Sequence, residues 1–477
     1  MKQGSGGSEL LLGLVAPVGV NLGHVQDVIS NYLKQFGYKT NPIRLSDLIK
    51  NIDGLTTEVI EETPFDRIDT HMTAGDEARR NAGSGDILAL HAMYQIRKKR
   101  KGDGPLASMA HIFNSLKHED EVRILRNVYG NGFFLLGIAS SRAKRLNYMI
   151  EELGMSEEQA DYLIRRDESE ESRFGQHMRD VFHLADGFVD INADDAPQQL
   201  MRILGLIFGN PFVTPTRNEY AMFLAYAASL RSCDLSRQVG AVVTSQSGEI
   251  ISTGANDVPC YGGGLYWSDD KNDSRDYKRG HDSNEKCRNE IVIEIMKIIH
   301  PGGKSDQELL EEGRKQLGDT GIFDITEYGR AVHAEMEALL SCARSAVSPV
   351  GGTLYCTTFP CHNCAKHIVA AGISRVVFVE PYPKSRALEL HDDAIVLKHE
   401  SKSASGNHKV EFEPFVGVGP RRFVDLFSIH LGSGKKMKRK EDSRAVVWNP
   451  KSASMRVPLL PGSYIEREIE AVDILVD

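Results

Sequence analysis

The sequence predicts an α/β protein of two domains, each a sheet covered by helices. Three observations carry this. Strand-length apolar runs alternate with helical stretches along most of the chain, the pattern of sheets packed under helices. A length of 477 residues is more than one core usually serves and implies two to three domains. Hydrophobic residues make up 41% and charged residues 26%, an ordinary globular composition.

The elements follow in order. Residues 1–8 are rich in glycine and serine and are expected to be disordered. Leu10-Leu11-Leu12-Gly13-Leu14-Val15 reads as a buried strand. It runs into Ala16-Pro17-Val18-Gly19-Val20-Asn21-Leu22-Gly23 and a helical stretch from His24 to Phe36. Strand, glycine loop and helix is the order of a phosphate-binding loop. The match is degraded, because Val20 stands where the lysine belongs and Asn21 where serine or threonine belongs. Phosphoryl transfer is therefore not expected, while nucleotide binding by backbone N–H groups of this loop stays open, with Gly13, Gly19 and Asn21 as its candidates. The competing reading is a plain tight turn. Ala82 to Leu90 precedes a helix with a basic end, and Phe133 to Ala139 and Gly187 to Ile191 read as further strands. Arg165-Arg166-Asp167 opens a charged stretch through Asp180. This half resembles a nucleotide kinase with its mobile lid, and the first domain is set at 9–194.

A linking helix near 197–208 leads to a second domain, set at 214–430, with a tail at 431–477. A helix is expected from Arg217 to Leu230, then a hairpin of Val239–Thr244 with Glu249–Asn256 turning at Gly248. An insertion, 257–330, follows. Its Cys260, His281 and Cys287 admit a second zinc, although the spacing fits no standard finger; otherwise the stretch is a substrate-covering loop with incidental cysteines. Gly352–Cys356 and Arg375–Val379 read as strands.

The densest chemistry lies between them. His333-Ala334-Glu335 is followed 25 residues later by Pro360-Cys361-His362-Asn363-Cys364. Catalytic zinc takes three protein ligands and leaves its fourth position to water. His333, Cys361 and Cys364 supply a neutral imidazole and two thiolates, and Glu335 is left over as a proton shuttle. Cys361 and Cys364 share a face on the first turn of a helix, and Pro360 suits its start. The helix runs through Ala365–Ala371 and stops at Gly372. A second helix is read over Ala331–Leu340, with His333 and Glu335 near its first turn. A lone C-x-x-C is often redox-active or half of a structural zinc site, but no fourth ligand stands at matching spacing. The joint pattern is that of zinc-dependent hydrolytic deamination of a nucleobase.

No apolar run reaches a membrane span, and the N-terminus lacks a signal-peptide pattern. Seven cysteines, two assigned to zinc, form no disulfide framework, so a cytoplasmic location is expected. A net charge of −9 and 7% aromatics argue against a polynucleotide substrate, such as tRNA or single-stranded DNA, in an open groove. Two basic runs, Arg97-Lys98-Lys99-Arg100-Lys101 and Lys435 to Lys440, are read first as solvated faces. A non-catalytic sensor or toxin-like module would have no need of Glu335.

The second domain resembles the deoxycytidylate deaminases of the cytidine deaminase superfamily. The resemblance lies in Ser236-Arg237-Gln238-Val239-Gly240-Ala241-Val242, in Thr253-Gly254-Ala255-Asn256-Asp257-Val258-Pro259, and in the two zinc motifs. The whole chain resembles the bacterial antiphage deoxycytidine nucleotide deaminases. That resemblance implies a P-loop kinase-like parallel-sheet domain followed by a cytidine deaminase-like α/β/α domain. It implies a zinc hydrolase acting on cyclic amidines, converting free dCTP or dCMP to uracil nucleotides in antiviral defence. It further implies Asn256 on the sugar or base, Lys384 at the phosphate end, Phe415 stacked on the base and Arg231 on phosphate. The degenerate first domain is expected to be regulatory, taking a nucleotide effector, or an inhibitory small RNA or inhibitor protein near Arg97. A homo-oligomer, with a hexamer as the form the resemblance suggests, completes these expectations.

Overall fold

The computed structural model describes residues 7–100, 104–169, 181–318, 320–382, 385–398, 409–430, 432, 434–459, 461–473 and 475. Residues 1–6 of the glycine-rich start, Lys101 of the first basic run, Asp180 and Lys384 lie outside the described residues. The chain forms two compact units, one of residues 1–219 with 416–477 and one of residues 220–415. Sequence reading had put the end of the second domain at 430 and treated 431–477 as a tail. The chain instead returns to the first unit at Val416, and the physical reason is a strand. Gly417–Val418 pairs antiparallel with the edge of the first sheet, and Val418 N–H donates to buried Glu219 at 2.7 Å.

In the first unit five parallel strands, β1 (Leu10–Val15), β2 (Lys39–Arg44), β3 (Met109–Asn114), β4 (Phe133–Ala139) and β5 (Gly187–Asp190), lie in the order β5-β4-β1-β3-β2. β1 is buried along its whole length, as a central parallel strand covered on both faces must be. The principal helices are α1 (Leu22–Gln35), α2 (Pro64–Ala82), α3 (Ile87–Lys99), α4 (Glu119–Tyr129), α5 (Arg142–Asn147), α6 (Glu157–Ser169) and α7 (Ala196–Ile207). Two strands escaped the sequence reading. β2 reads KTNPIR, an edge strand with Pro42 and only two apolar residues, whose burial rather than polarity alternates toward its end. β3 carries polar His111 and Asn114 in its buried run.

Described segments after residue 430 pack into the fold. Met455, Val457 and Leu459 are buried. The helix Pro461–Asp473 places Glu468 beside Arg100 and Tyr129, and Tyr464 beside Glu9. Arg97 pairs with Asp473 at 2.9 Å, and Lys99 donates to Asn41. Part of the first basic run is thus committed to the fold rather than to solvent.

In the second unit six strands, β6 (Gly240–Thr244), β7 (Ile250–Ala255), β8 (Thr353–Thr358), β9 (Arg375–Glu380), β10 (Ile395–Leu397) and β11 (Val410–Pro414), lie in the order β10-β11-β9-β8-β6-β7. β6 and β7 form the expected hairpin. The helices are α8 (Arg217–Ser229, from Tyr220 on in this unit), α9 (Ser283–Ile299), α10 (Asp306–Leu317), α11 (Ala334–Arg344) and α12 (His362–Ala370). The insertion is therefore no mere loop. Asp282 and Ser305 cap α9 and α10, and Val292, Met296 and Leu309 form a small core between them. Its two ends are pinched together where Asp257 and Val332 exchange backbone hydrogen bonds.

Two glycines let helices lie close on this sheet. A Cβ on Gly254 would meet the Ala334 carbonyl oxygen at 2.1 Å, and one on Gly240 the Ala225 carbonyl oxygen at 1.9 Å. The first of these contacts fixes where α11 begins.

Candidate metal centre and its surroundings

Two helix starts face each other. His333 is the N-cap of α11 and Cys361 the N-cap of α12. The Cys361 sulfur accepts from the Cys364 N–H at 3.4 Å, so the spacing of three places both thiols at one helix mouth. Helix N-termini favour negative charge, which suits thiolates there. His333 Nδ1 lies 3.4 Å from Cys361 Sγ and 3.3 Å from Cys364 Sγ. All three donor atoms fall within 4.8 Å of one another, and among the described residues they are the one such group of three or more. Bonds of ~2.3 Å to sulfur and ~2.0 Å to nitrogen in a tetrahedron separate N and S ligands by roughly 3.5 Å. The donor set therefore fits zinc, with three ligands and room for a fourth.

The three side chains hold protons between them, and those on His333 and Cys364 are the ones a bound zinc would displace. The Cys361 thiol is held down at about 4, first by its hydrogen bond with Cys364 and then by His333. His333 is pushed up to about 9, chiefly by its hydrogen bond with Cys361. Cys364 is pushed up by sharing a proton with Cys361 and by burial. Glu335, 4% exposed, is raised mainly by burial, with His333 opposing. Raising a carboxyl makes it a stronger base, the direction a proton shuttle needs. Cys356 on β8 is buried beside Glu335, and its thiol is raised by burial and by that carboxylate.

The remaining sequence candidates divide. Asn256 is buried, and its side chain ties two backbones, with Oδ1 accepting from Val239 N–H at 2.6 Å and Nδ2 donating to Arg237 O at 2.7 Å. Arg231 stacks on Trp267 with 3.5 Å to the ring centroid and donates to the Tyr266 carbonyl at 3.2 Å. Its guanidinium serves the insertion rather than standing free for a phosphate. Phe415 is 1% exposed and its N–H donates to Phe378 O, so its ring belongs to the packed interior rather than to a base-stacking surface. Cys260, His281 and Cys287 form no metal group among the described residues.

In the first unit each loop candidate has a structural duty. A Cβ on Gly13 would meet Leu116, Phe133 and Leu135 side chains at 2.7–2.9 Å. Gly19 takes φ +85 and abuts Arg145. Asn21 caps α1 through His24 N–H. Sequence reasoning passed over Arg237, although its motif had been noted. Arg237 pairs with Glu380 at 2.6 Å, and Thr358 donates to the same carboxylate at 3.2 Å. Together they brace the loop before β6 against the strand ends that lead to Pro360 and Cys361.

Comparison with known proteins adds to this geometry. The family described as "Cytidine and deoxycytidylate deaminase zinc-binding region" matches residues 215–380. Deoxycytidylate deaminase of Enterobacteria phage T2 is 30% identical over 177 residues, 34% of this chain and 79% of the relative. That of Enterobacteria phage T4 is 32% identical, over 34% of this chain and 77% of the relative. The chain belongs to the deoxycytidylate deaminase family. The match covers residues 215–380, most of the second unit, and contains His333, Glu335, Cys361 and Cys364. The apo crystal structure of dCMP deaminase from the cyanophage S-TIM5 is 19% identical and covers 43% of this chain and 100% of that chain, with a TM-score of 0.24. The family assignment rests on the sequence relatives. Among the described residues no helix is long and apolar enough to cross a membrane.

Proposed function

We propose that the second unit removes the amino group of free deoxycytidine nucleotides, dCMP or dCTP, by hydrolysis, with zinc as its cofactor. The observation that carries this is the convergence of His333, Cys361 and Cys364 within 4.8 Å, with buried Glu335 two residues after His333, in a chain of this family. A zinc ion bound there supplies water activated at neutral pH. His333 presents Nδ1, and the two sulfurs sit at the mouth of α12, so the chain fixes the three ligand directions. Glu335 takes a proton from the attacking water at its carboxylate, passes it to the ring nitrogen, and then assists departure of ammonia. Its burial keeps bulk water from competing for that proton.

Arg237, on the loop that Asn256 anchors, is a candidate for the nucleotide phosphate only by exchanging its Glu380 partner for it. The first unit, at the resemblance level, is a regulatory module for a nucleotide effector or an inhibitory RNA or protein. Nucleotide depletion in antiviral defence and a homo-oligomeric state belong to the same reading.

The test is ammonia release and product identity with dCTP, dCMP, CTP and a cytosine-containing oligonucleotide, beside a Glu335→Ala variant that retains zinc. Uracil nucleotides formed from dCMP or dCTP, and lost in the variant, are the expected result. Turnover of the oligonucleotide alone would move the substrate class to nucleic acid.

A further inference from the structure

The loop after β1 is already filled, and by a carboxylate of the chain itself. Val18 N–H donates to Asp167 Oδ2 at 2.7 Å. Lys117 Nζ donates to the other oxygen, Oδ1, at 2.6 Å and to Ala16 O at 2.9 Å. Asp167 is fully buried, and the Lys117 side chain is 14% exposed. Lys117 comes from the segment after β3, the strand directly beside β1. The missing lysine of the loop is thus replaced in space by one from a neighbouring strand end.

The location matters. The chain leaves β1 toward β2 on one side of it and crosses from β3 to β4 on the other. Such a reversal, at the carboxyl ends of parallel strands, is where open α/β sheets bind ligands. A backbone N–H beside an ammonium is also a donor pair suited to a phosphoryl oxygen. Asp167 itself stands in the last turn of α6, where a negative charge faces the carbonyl end of the helix and is disfavoured. Its pairing with Lys117 and Val18 holds it there against that tendency.

We propose that Asp167 is a built-in occupant of a phosphate seat formed by Val18 N–H and Lys117 Nζ. A ligand bearing a phosphate group enters by exchange with the Asp167 carboxylate, anion for anion, and the last turn of α6 is released as it does so. The seat is closed by default, which makes it a gate rather than a standing nucleotide site. This inference does not depend on the activity of the second unit.

The experiment titrates the full chain with inorganic phosphate, tripolyphosphate and ATP by calorimetry, in the parent, Asp167→Asn, and Asp167→Asn/Lys117→Gln. Asparagine keeps an acceptor for Val18 and removes the charge. Asp167→Asn is expected to bind tripolyphosphate at least tenfold more tightly than the parent, with the gain cancelled by Lys117→Gln. Binding of ATP tighter than tripolyphosphate assigns the seat to nucleotides; equal binding assigns it to free phosphates. No gain in Asp167→Asn, or a gain that survives loss of Lys117, overturns the proposal. If Asp167→Asn does not fold, hydrogen exchange in the parent decides. Saturating tripolyphosphate should slow exchange over 16–22 and speed it in the last turn of α6, and unchanged exchange in both segments overturns the gate.

Discussion

The two units each hold a candidate site at the ends of a sheet's strands, and they differ in what fills it. In the second unit the donor atoms of His333, Cys361 and Cys364 converge on one another at a spacing that suits a single guest. In the first unit the loop after β1 has been taken up by the fold: Asn21 caps a helix, Gly19 abuts Arg145, and Asp167 occupies the Val18 amide. A loop shape is compatible with both outcomes. What separates a site from a turn is whether its donors are left facing a common point.

The sharpest way to break this comparison is Glu335→Gln. It keeps the shape of the side chain and removes its proton capacity. Turnover should fall by roughly 10²–10⁴-fold while zinc content, measured by atomic emission, stays at parent level. A variant with full turnover would place the proton transfer elsewhere. No substitution in the loop after β1 should approach this effect.

How much of this was legible in the sequence follows the same division. The zinc motifs were legible because metal geometry demands particular residue types at fixed spacing, and the two helices were legible to within a few residues, α11 beginning at Ala334 rather than Ala331 and α12 at His362 rather than Pro360, with His333 and Cys361 as caps. The fully buried strands β1 and β4 were legible as unbroken apolar runs. The edge strand β2, with Pro42, carries too few apolar residues to stand out. The return of Gly417–Val418 to the first sheet is a two-residue pairing, set by tertiary contact rather than by local pattern. The substrate candidates fared differently for a related reason. Arg231 and Asn256 were chosen by residue type and position, yet partners distant in sequence, Trp267 and Val239, decide where those groups point, and Phe415 is buried.

Glycine substitutions sharpen the comparison at the next level. An alanine at Gly254 would press on the Ala334 carbonyl and the Ala338 nitrogen, both backbone atoms within a helix. They cannot yield without moving α11 and with it His333 and Glu335. The expected cost is ~1–3 kcal/mol in denaturant unfolding, together with lower zinc affinity. Gly13→Ala meets only side-chain ends, which can turn aside. It should cost less and leave zinc affinity unchanged. Equal effects of the two on zinc would mean that α11 is not positioned by Gly254.

Acid separates the units again. Burial raises the Glu9 carboxyl, but hydrogen bonds from His111 and Tyr464 and the charge of Arg100 outweigh it and hold Glu9 at about 2. A lowered carboxyl contributes stability that is present above its unfolded value near 4.5 and is lost as pH falls toward about 2. Glu468, raised by burial, acts in the opposite sense, its contribution being present below its unfolded value near 4.5 and lost as pH rises above that. Urea unfolding followed from pH 5 down to about pH 3 should show the first unit weakening, and Glu9→Gln should flatten that slope. An unchanged slope would assign the acid sensitivity to other carboxylates.

The smallest effect is the most discriminating for the loop itself. Asn21 was a nucleotide candidate by its place in the glycine loop, but its Oδ1 accepts the His24 N–H at 3.0 Å as the cap of α1. Removing a cap costs about 1 kcal/mol, because one helix N–H loses its acceptor. Asn21→Ala should therefore lower the unfolding free energy by about that much, while Asn21→Ser restores most of it. Neither should change tripolyphosphate binding to the Asp167→Asn chain, since the seat there is built from Val18 and Lys117. If Asn21→Ala abolished that binding without loss of stability, the side chain would be a ligand group, and the division between a filled loop and an open metal centre would have to be redrawn.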